Sequence, residues 1–292
     1  MSTEFEILLP GERTPHSQGA AQAAFAEIDR LESLFSRFDP RSEISRINRL
    51  QPGRSLRVGI EVVECLDLAF RLSGETGGGF DVDFRSRTAR SPEGAPAAGP
   101  EASGGEDWPL ELVQVSDGFM VSAIRNVDLD LGGIGKGYAL DSVRDLLEDW
   151  EHPAALLHAG TSTALAWGDP GKGRETEGGG WPLGVAGPWA GAGVPGRILL
   201  RDRSLSGSGV EVKGDHVVDP ASGGPASGHP AAWASHSSAA VADALSTAFM
   251  VMTAAQVEDF CRHHTEVWAL VINGPKKCTI HNRGIVAVDP AP

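Results

Sequence analysis

The segment Ala239 to Phe249, AAVADALSTAF, sets one carboxylate, Asp243, and one hydroxyl, Thr247, four residues apart in a run of small apolar residues. On a helix that spacing brings both groups to one face, one turn apart. Hard oxygen donors of this kind suit magnesium, which would accept further oxygens from backbone carbonyls and phosphate. Taken alone, the pair also fits a helix cap or a buried polar contact.

Three other segments carry comparable chemistry. In Val127 to Asp141, VDLDLGGIGKGYALD, an alternating stretch meets a helical one through Gly132, Gly133, Gly135 and Gly137. Lys136 is followed by glycine and not by Ser or Thr, so this is no Walker A loop, and the glycine spacing is not that of a dinucleotide fold. A helix N-terminus beside a lysine still makes an anion site, although a tight turn with a solvated lysine reads equally well. Gly77 to Asp83, GGGFDVD, lets backbone amides approach a ligand, with Asp81 able to accept from sugar or base donors; a helix C-cap and turn is the plainer reading. Ser204 to Gly209, SLSGSG, followed by DHVVDPASG at 215 to 223, offers small hydroxyls near His216 that could contact phosphate. A lone histidine is more often structural.

The elements that must position these groups follow from periodicity. Helical spacing runs through AAQAAFAEIDRLESLF after Gly19, through SEISRINRL after Asp39-Pro40-Arg41, and from Ile60 to Thr76, where three glycines stop it. Further helices are expected at 135 to 150, 239 to 253 and 255 to 263. Leu112 to Ser116 and Phe119 to Ser122 read as a hairpin about Asp117-Gly118, with Asn126 to Leu131 as a third strand. Other strands are expected at 154 to 159, 163 to 167, 183 to 185, 196 to 200, 267 to 272 and 277 to 280. Pro, Gly, Ala and Ser fill 87 to 107, and glycine recurs from 168 to 180, so both read as surface loops. Strands cluster in meanders instead of alternating with helices, which predicts an α+β fold, here one domain over residues 1–292.

Bulk properties exclude several classes. The 292 residues carry a formal net charge of −14, which repels nucleic acid and anionic membrane. Three scattered cysteines, Cys65, Cys261 and Cys278, offer no disulfide framework and no CxxC spacing. No run approaches the length of a membrane span, and the N-terminal stretch shows neither a basic start nor a lipid-accepting cysteine, so a cytoplasmic location is expected.

Together with LESLFSRFDPRSEISRIN, the four segments in this order resemble the ApbE flavin transferase family, over about residues 31 to 253. LGGIGKGYALD, HVVDPASGGP and ADALSTA are the most specific parts. The resemblance implies an α+β fold that binds FAD with Mg2+, splits the pyrophosphate, and joins FMN through its phosphate to a Ser or Thr of a target protein with release of AMP. Some relatives hydrolyse FAD to FMN and AMP instead, and FAD binding without turnover is a third possibility. Position by position it implies FAD contacts at Gly79, Phe80, Asp81, Asp130, Lys136 and Ala226. Metal ligands are implied at Asp243 and Thr247, with backbone oxygens from Gly133 and Ser246, and His216 is implied as the base on the acceptor hydroxyl. Asp243 and His216 are thus the catalytic pair. The chain departs from the family pattern in having FEILLPG for an early Met-Gly-Thr strand, HAGTSTALAW after the central strand, and Asp83 where a hydroxyl is common.

Overall fold

Residues 3–86, 108–116, 118–171, 179–185, 189, 194–209 and 217–289 are described by a computed structural model. In chain order the first half comprises β1 (Phe5–Leu8), α1 (Pro15–Phe35), α2 (Glu43–Ile47), β2 (Ser55–Val58), α3 (Ile60–Glu75), β3 (Leu110–Val115), β4 (Gly118–Ala123) and α4 (Gly135–Asp149). The second half adds β5 (Ala155–Ala159), β6 (Thr163–Trp167), β7 (Trp181–Gly184), β8 (Arg197–Leu200), β9 (Arg203–Gly209) and β10 (Ala231–His236). It closes with α5 (Ala239–Val251), α6 (Ala254–His263), β11 (Trp268–Gly274), β12 (Lys277–His281) and β13 (Ala287–Asp289).

A seven-stranded antiparallel sheet in the order β1-β5-β6-β9-β10-β11-β12 forms the centre. Because strand side chains alternate, its two faces bury different sets. Ala155, Leu157, Leu165 and Trp167 pack on Ala24 and Ile28 of α1 and on Leu140 and Val143 of α4. Ala232, Ala234, Ala269 and Val271 join the core under α5. From the opposite face Leu156, Ala166, Leu270 and Ile272 pack on Trp181, Ile198 and Leu200 of a three-stranded sheet, β13-β8-β7. A second three-stranded sheet, β2-β4-β3, closes the main core against α3 through Val58, Val121 and Leu110. The mixed helix and antiparallel-sheet architecture is the α+β fold that the sequence predicts.

Helix ends are specified locally. Thr14 caps α1 in a reciprocal capping box with Ser17, and Pro15 occupies the first turn, where its missing N–H costs nothing. α3 ends at Glu75, and Gly77 and Gly78 then take positive φ, which glycine adopts without strain.

One expectation changes, and a strand not expected from the sequence forms. Asn126 to Leu131 alternates like a strand yet pairs with none: the Asp128 and Leu129 amides donate to the Asp83 and Asn48 side chains, and the Asp130 amide donates to the Val82 carbonyl. Side chains have taken the ladder's donors. Conversely SLSGSG, which lacks apolar alternation, is the sheet strand β9. The loop expected at 87–107, Asp117 of the hairpin turn and residues 172–178 of the second loop lie outside the described residues, whereas the β3–β4 hairpin itself forms.

Candidate functional site

Asp243 lies on α5, 3% exposed, with its carboxylate surrounded by donors. Lys136 Nζ donates to Oδ1 at 3.1 Å and to Oδ2 at 3.0 Å. The Gly137 amide donates to Oδ2 at 3.3 Å, and the Thr163 and Ser206 hydroxyls each donate to Oδ1 at 3.2 Å. Lys136 Nζ also donates to the Gly132 carbonyl at 3.0 Å. The glycine turn and the helix carrying Asp243 and Thr247, read separately in the sequence, are thus joined by one ion pair.

The local sequence explains the convergence. Alternation along β9 points Ser204, Ser206 and Ser208 at the helices, where each hydroxyl has a partner: Ser204 donates to the His236 and Ser238 carbonyls, and Ser208 meets Ser246 at 3.0 Å. Gly137 is needed for approach, since a Cβ there would lie 2.1 Å from the Ala239 carbonyl oxygen of α5. Asp141, one turn further along α4, caps α5 from outside it. The carboxylate accepts from Ser238 Oγ at 2.6 Å and from the amides of Ala239 and Ala240 at 2.8 and 3.0 Å. Burial nevertheless holds the Asp141 carboxyl above its ordinary pKa.

Thr247, one turn after Asp243, donates to the Asp243 carbonyl at 3.2 Å, which leaves its oxygen lone pairs available. A Cβ on Gly133 would meet that hydroxyl at 3.3 Å and the Phe80 ring at 3.2 Å, so loop, threonine and phenylalanine abut. The Ser246 side chain is fully buried, turned toward Ser206 and Ser208.

A cavity of about 550 Å³ runs past these groups, lined among others by Gly79, Phe80, Asp81, Asp130, Gly133, Lys136, Asp243 and Thr247. Asp130 is held by Arg37 at 3.0 Å and by the Gly132 amide at 3.0 Å, with Arg85 at 3.5 Å. Asp81 is buried and accepts from the Asp83 amide at 2.8 Å. Asp83 itself faces Arg125 at 2.7 Å and the Asp128 amide, so it fixes the chain leading to the glycine turn. Ala226 does not line the cavity. Its amide donates to the Val217 carbonyl, and its side chain packs against the core cluster that includes Val217, which does line the cavity. His216 lies outside the described residues.

Some functional neighbours were not legible beforehand. Thr163 has no motif of its own, and only the β6–β9 register, Thr163 opposite Ser206, brings it to Asp243. Asp141 closes the LGGIGKGYALD motif, which was its only signal. Cys65 is fully buried; desolvation and then the Asp243 charge push its thiol far up, which removes it as a nucleophile.

Comparison with known proteins shows the family and the fold. A model of the ApbE family matches residues 1–271. The fold is similar to that of the apo flavinyl transferase ApbE of Pseudomonas stutzeri, with TM-score 0.69 and 21% identity, covering 95% of this chain and 94% of that one. It is similar to the ApbE protein of Thermotoga maritima, with TM-score 0.70 and 24% identity over 92% of this chain and 90% of that one. It is also similar to the flavin transferase ApbE of Vibrio cholerae, with TM-score 0.70 and 19% identity over 96% and 97%. No curated protein matches by sequence.

Proposed function

The chain belongs to the ApbE family, and on that premise we propose that it is a magnesium-dependent FAD:protein FMN transferase, joining FMN through its phosphate to a Ser or Thr of a target protein and releasing AMP. The observation that carries this reading is the Lys136–Asp243 pair in the cavity wall. A cation already sits on both oxygens of the buried Asp243 carboxylate and on the Gly132 carbonyl, next to Thr247. The names of the flavin transferases that share the fold support it further.

The donor chemistry fits magnesium. Among the described residues no group of three or more His, Cys, Asp or Glu gathers, so a bound ion would rely on hard oxygens from one carboxylate, a hydroxyl, carbonyls and the substrate's phosphates. Asp243 and Thr247, with the Gly133 and Ser246 backbone oxygens, would hold it. When bound, magnesium offsets the charge that develops on both phosphates.

The chain's own groups do the rest. Lys136, on its flexible stem, exchanges Asp243 for phosphate oxygens. Gly79, Phe80, Asp81 and Asp130 hold the AMP half, with Ala226 behind Val217. His216 takes the proton from the acceptor hydroxyl. The acceptor oxygen then bonds to the FMN phosphorus, the bond to the bridging oxygen breaks, and AMP leaves with that oxygen. Water in the acceptor's place gives FMN and AMP. Incubation with FAD and magnesium, with and without Ser- or Thr-bearing target peptides, followed by mass spectrometry, tests the reading: a peptide adduct of FMN with equimolar AMP is expected. Absence of AMP under all conditions overturns it; AMP and free FMN without adduct leaves hydrolysis.

A further inference from the structure

The cavity spans both faces of the central sheet, and the reason lies in register. β6 begins at Thr163, paired with Ser206, and the Gly207 amide donates to the Ser162 carbonyl. Beyond that point Ser208 and Gly209 of β9 pair only with β10, so a notch opens where β6 stops. Ser208 faces α5, whereas Gly207 and Gly209 face away from it, yet all three line the cavity together with Thr161 and Ser162 of the turn.

On the far face the wall changes character. Trp233 of β10 lies directly opposite Gly207, and a Cβ at Gly207 would stand 2.5 Å from the indole Nε1 and 2.6 Å from Cδ1. The ring therefore lies against bare backbone, in space that only glycine leaves. Trp189, Val185 and Ala231 complete this part of the wall, and the described residues here carry no charge. The charged wall residues, Asp81, Arg85, Asp130, Lys136 and Asp243, come from the segment after α3, the approach to the glycine turn, α4 and α5.

We propose that Trp233, laid over Gly207, is the platform on which the isoalloxazine ring of the flavin lies, with the ribityl chain passing the Thr161–Ser162 notch toward Lys136. This rests on the flavin reading above. A flat tricycle with an apolar dimethylbenzene edge suits an uncharged wall bearing a half-buried tryptophan, whose face stacks on large aromatic systems. Adenine, with its exocyclic amino donor, suits the Phe80–Asp81 end, where a carboxylate is at hand.

The test is titration of wild-type protein and of the Trp233→Leu, Trp233→Phe and Gly207→Ala variants with riboflavin, FAD and ADP, read by calorimetry and by quenching of tryptophan emission. Trp233→Leu is expected to weaken riboflavin and FAD about tenfold or more while ADP stays within about twofold, and Trp233→Phe to keep most of the affinity. Gly207→Ala should match Trp233→Leu, because the new methyl group displaces the indole while leaving it in the chain. Unchanged flavin affinity in Trp233→Leu, or an equal loss for ADP, overturns the platform and leaves the flavin reading standing. Wild-type protein that takes up neither flavin overturns both.

Discussion

The ammonium of Lys136 bridges both carboxylate oxygens of Asp243, with 12% of the lysine side chain and 4% of the aspartate side chain exposed. The pair is therefore screened little by solvent, and each partner holds a charge that the other makes tolerable. Asp243 has two duties, since the carboxylate proposed to hold magnesium also neutralises a buried lysine.

Removing Asp243 alone should be costly. Asp243→Ala strands the Lys136 charge and is expected to lose about 3–5 kcal/mol of stability, along with magnesium-dependent FAD cleavage. The double variant Asp243→Ala/Lys136→Met should recover much of the stability and none of the cleavage. Urea unfolding of the three proteins, with FAD turnover measured on each, checks this; a single variant as stable as wild type removes the structural duty.

Asp141→Ala leaves two amides at the start of α5 and the Ser238 hydroxyl without their acceptor. A loss of about 2 kcal/mol is expected from the cap and its buried hydrogen bonds. Asp141→Asn should retain part of it. Thermal unfolding decides, and equal melting of Asp141→Ala and wild type contradicts the cap.

Acid should destabilise the fold through His236. Burial, then the nearby Arg203 charge, holds its pKa below the ordinary 6.5, and its Nδ1 accepts from the Ser238 amide at 3.0 Å. A depressed folded-state value means that the unfolded chain binds the proton first. The contribution is present above pH 6.5 and is lost as pH falls through the lower folded value. His236→Asn, which keeps an acceptor near Nδ1, should flatten the stability profile in that range, with His152, His158, His229 and His281, also lowered by burial, accounting for the remaining slope. Identical profiles for variant and wild type would discard His236 as the cause.

His216→Ala should separate transfer from binding. A general base acts in the transition state, so adduct formation is expected to fall about a hundredfold to ten-thousandfold while FAD affinity stays close to wild type. Calorimetry beside adduct mass spectrometry tells the two apart; loss of FAD affinity in parallel would assign His216 to the binding site instead.

Elements that carry their own periodicity were legible: α1, α3 and α5 sit within a few residues of where spacing puts them, and the Asp243–Thr247 pair falls on one helical turn as expected. β9 was not, because its inward positions are serines. Their polarity is tolerated only since His236, Ser238, Asp243 and Ser246 supply partners from distant segments. Asn126 to Leu131 misled for the opposite reason, as Asn48 and Asp83 claim the amides that a neighbouring strand would have taken. Lys136 was legible as a positive charge beside a glycine turn, yet its bond to Asp243 needs α4 and α5 to meet at Gly137, a contact that no local pattern encodes.

The pairing of β1 with β5 sets a clock on synthesis. Phe5 to Leu8 meets its partner, Leu156 to Ala159, only after roughly 150 further residues have been made. At ribosomal rates that interval is on the order of ten to thirty seconds. Throughout it the FEIL segment emerges as an unpaired apolar strand, open to chaperones or to neighbouring chains. Residues made later thus secure a segment made earlier, and crowded polysomes are where this chain is most exposed to misassembly.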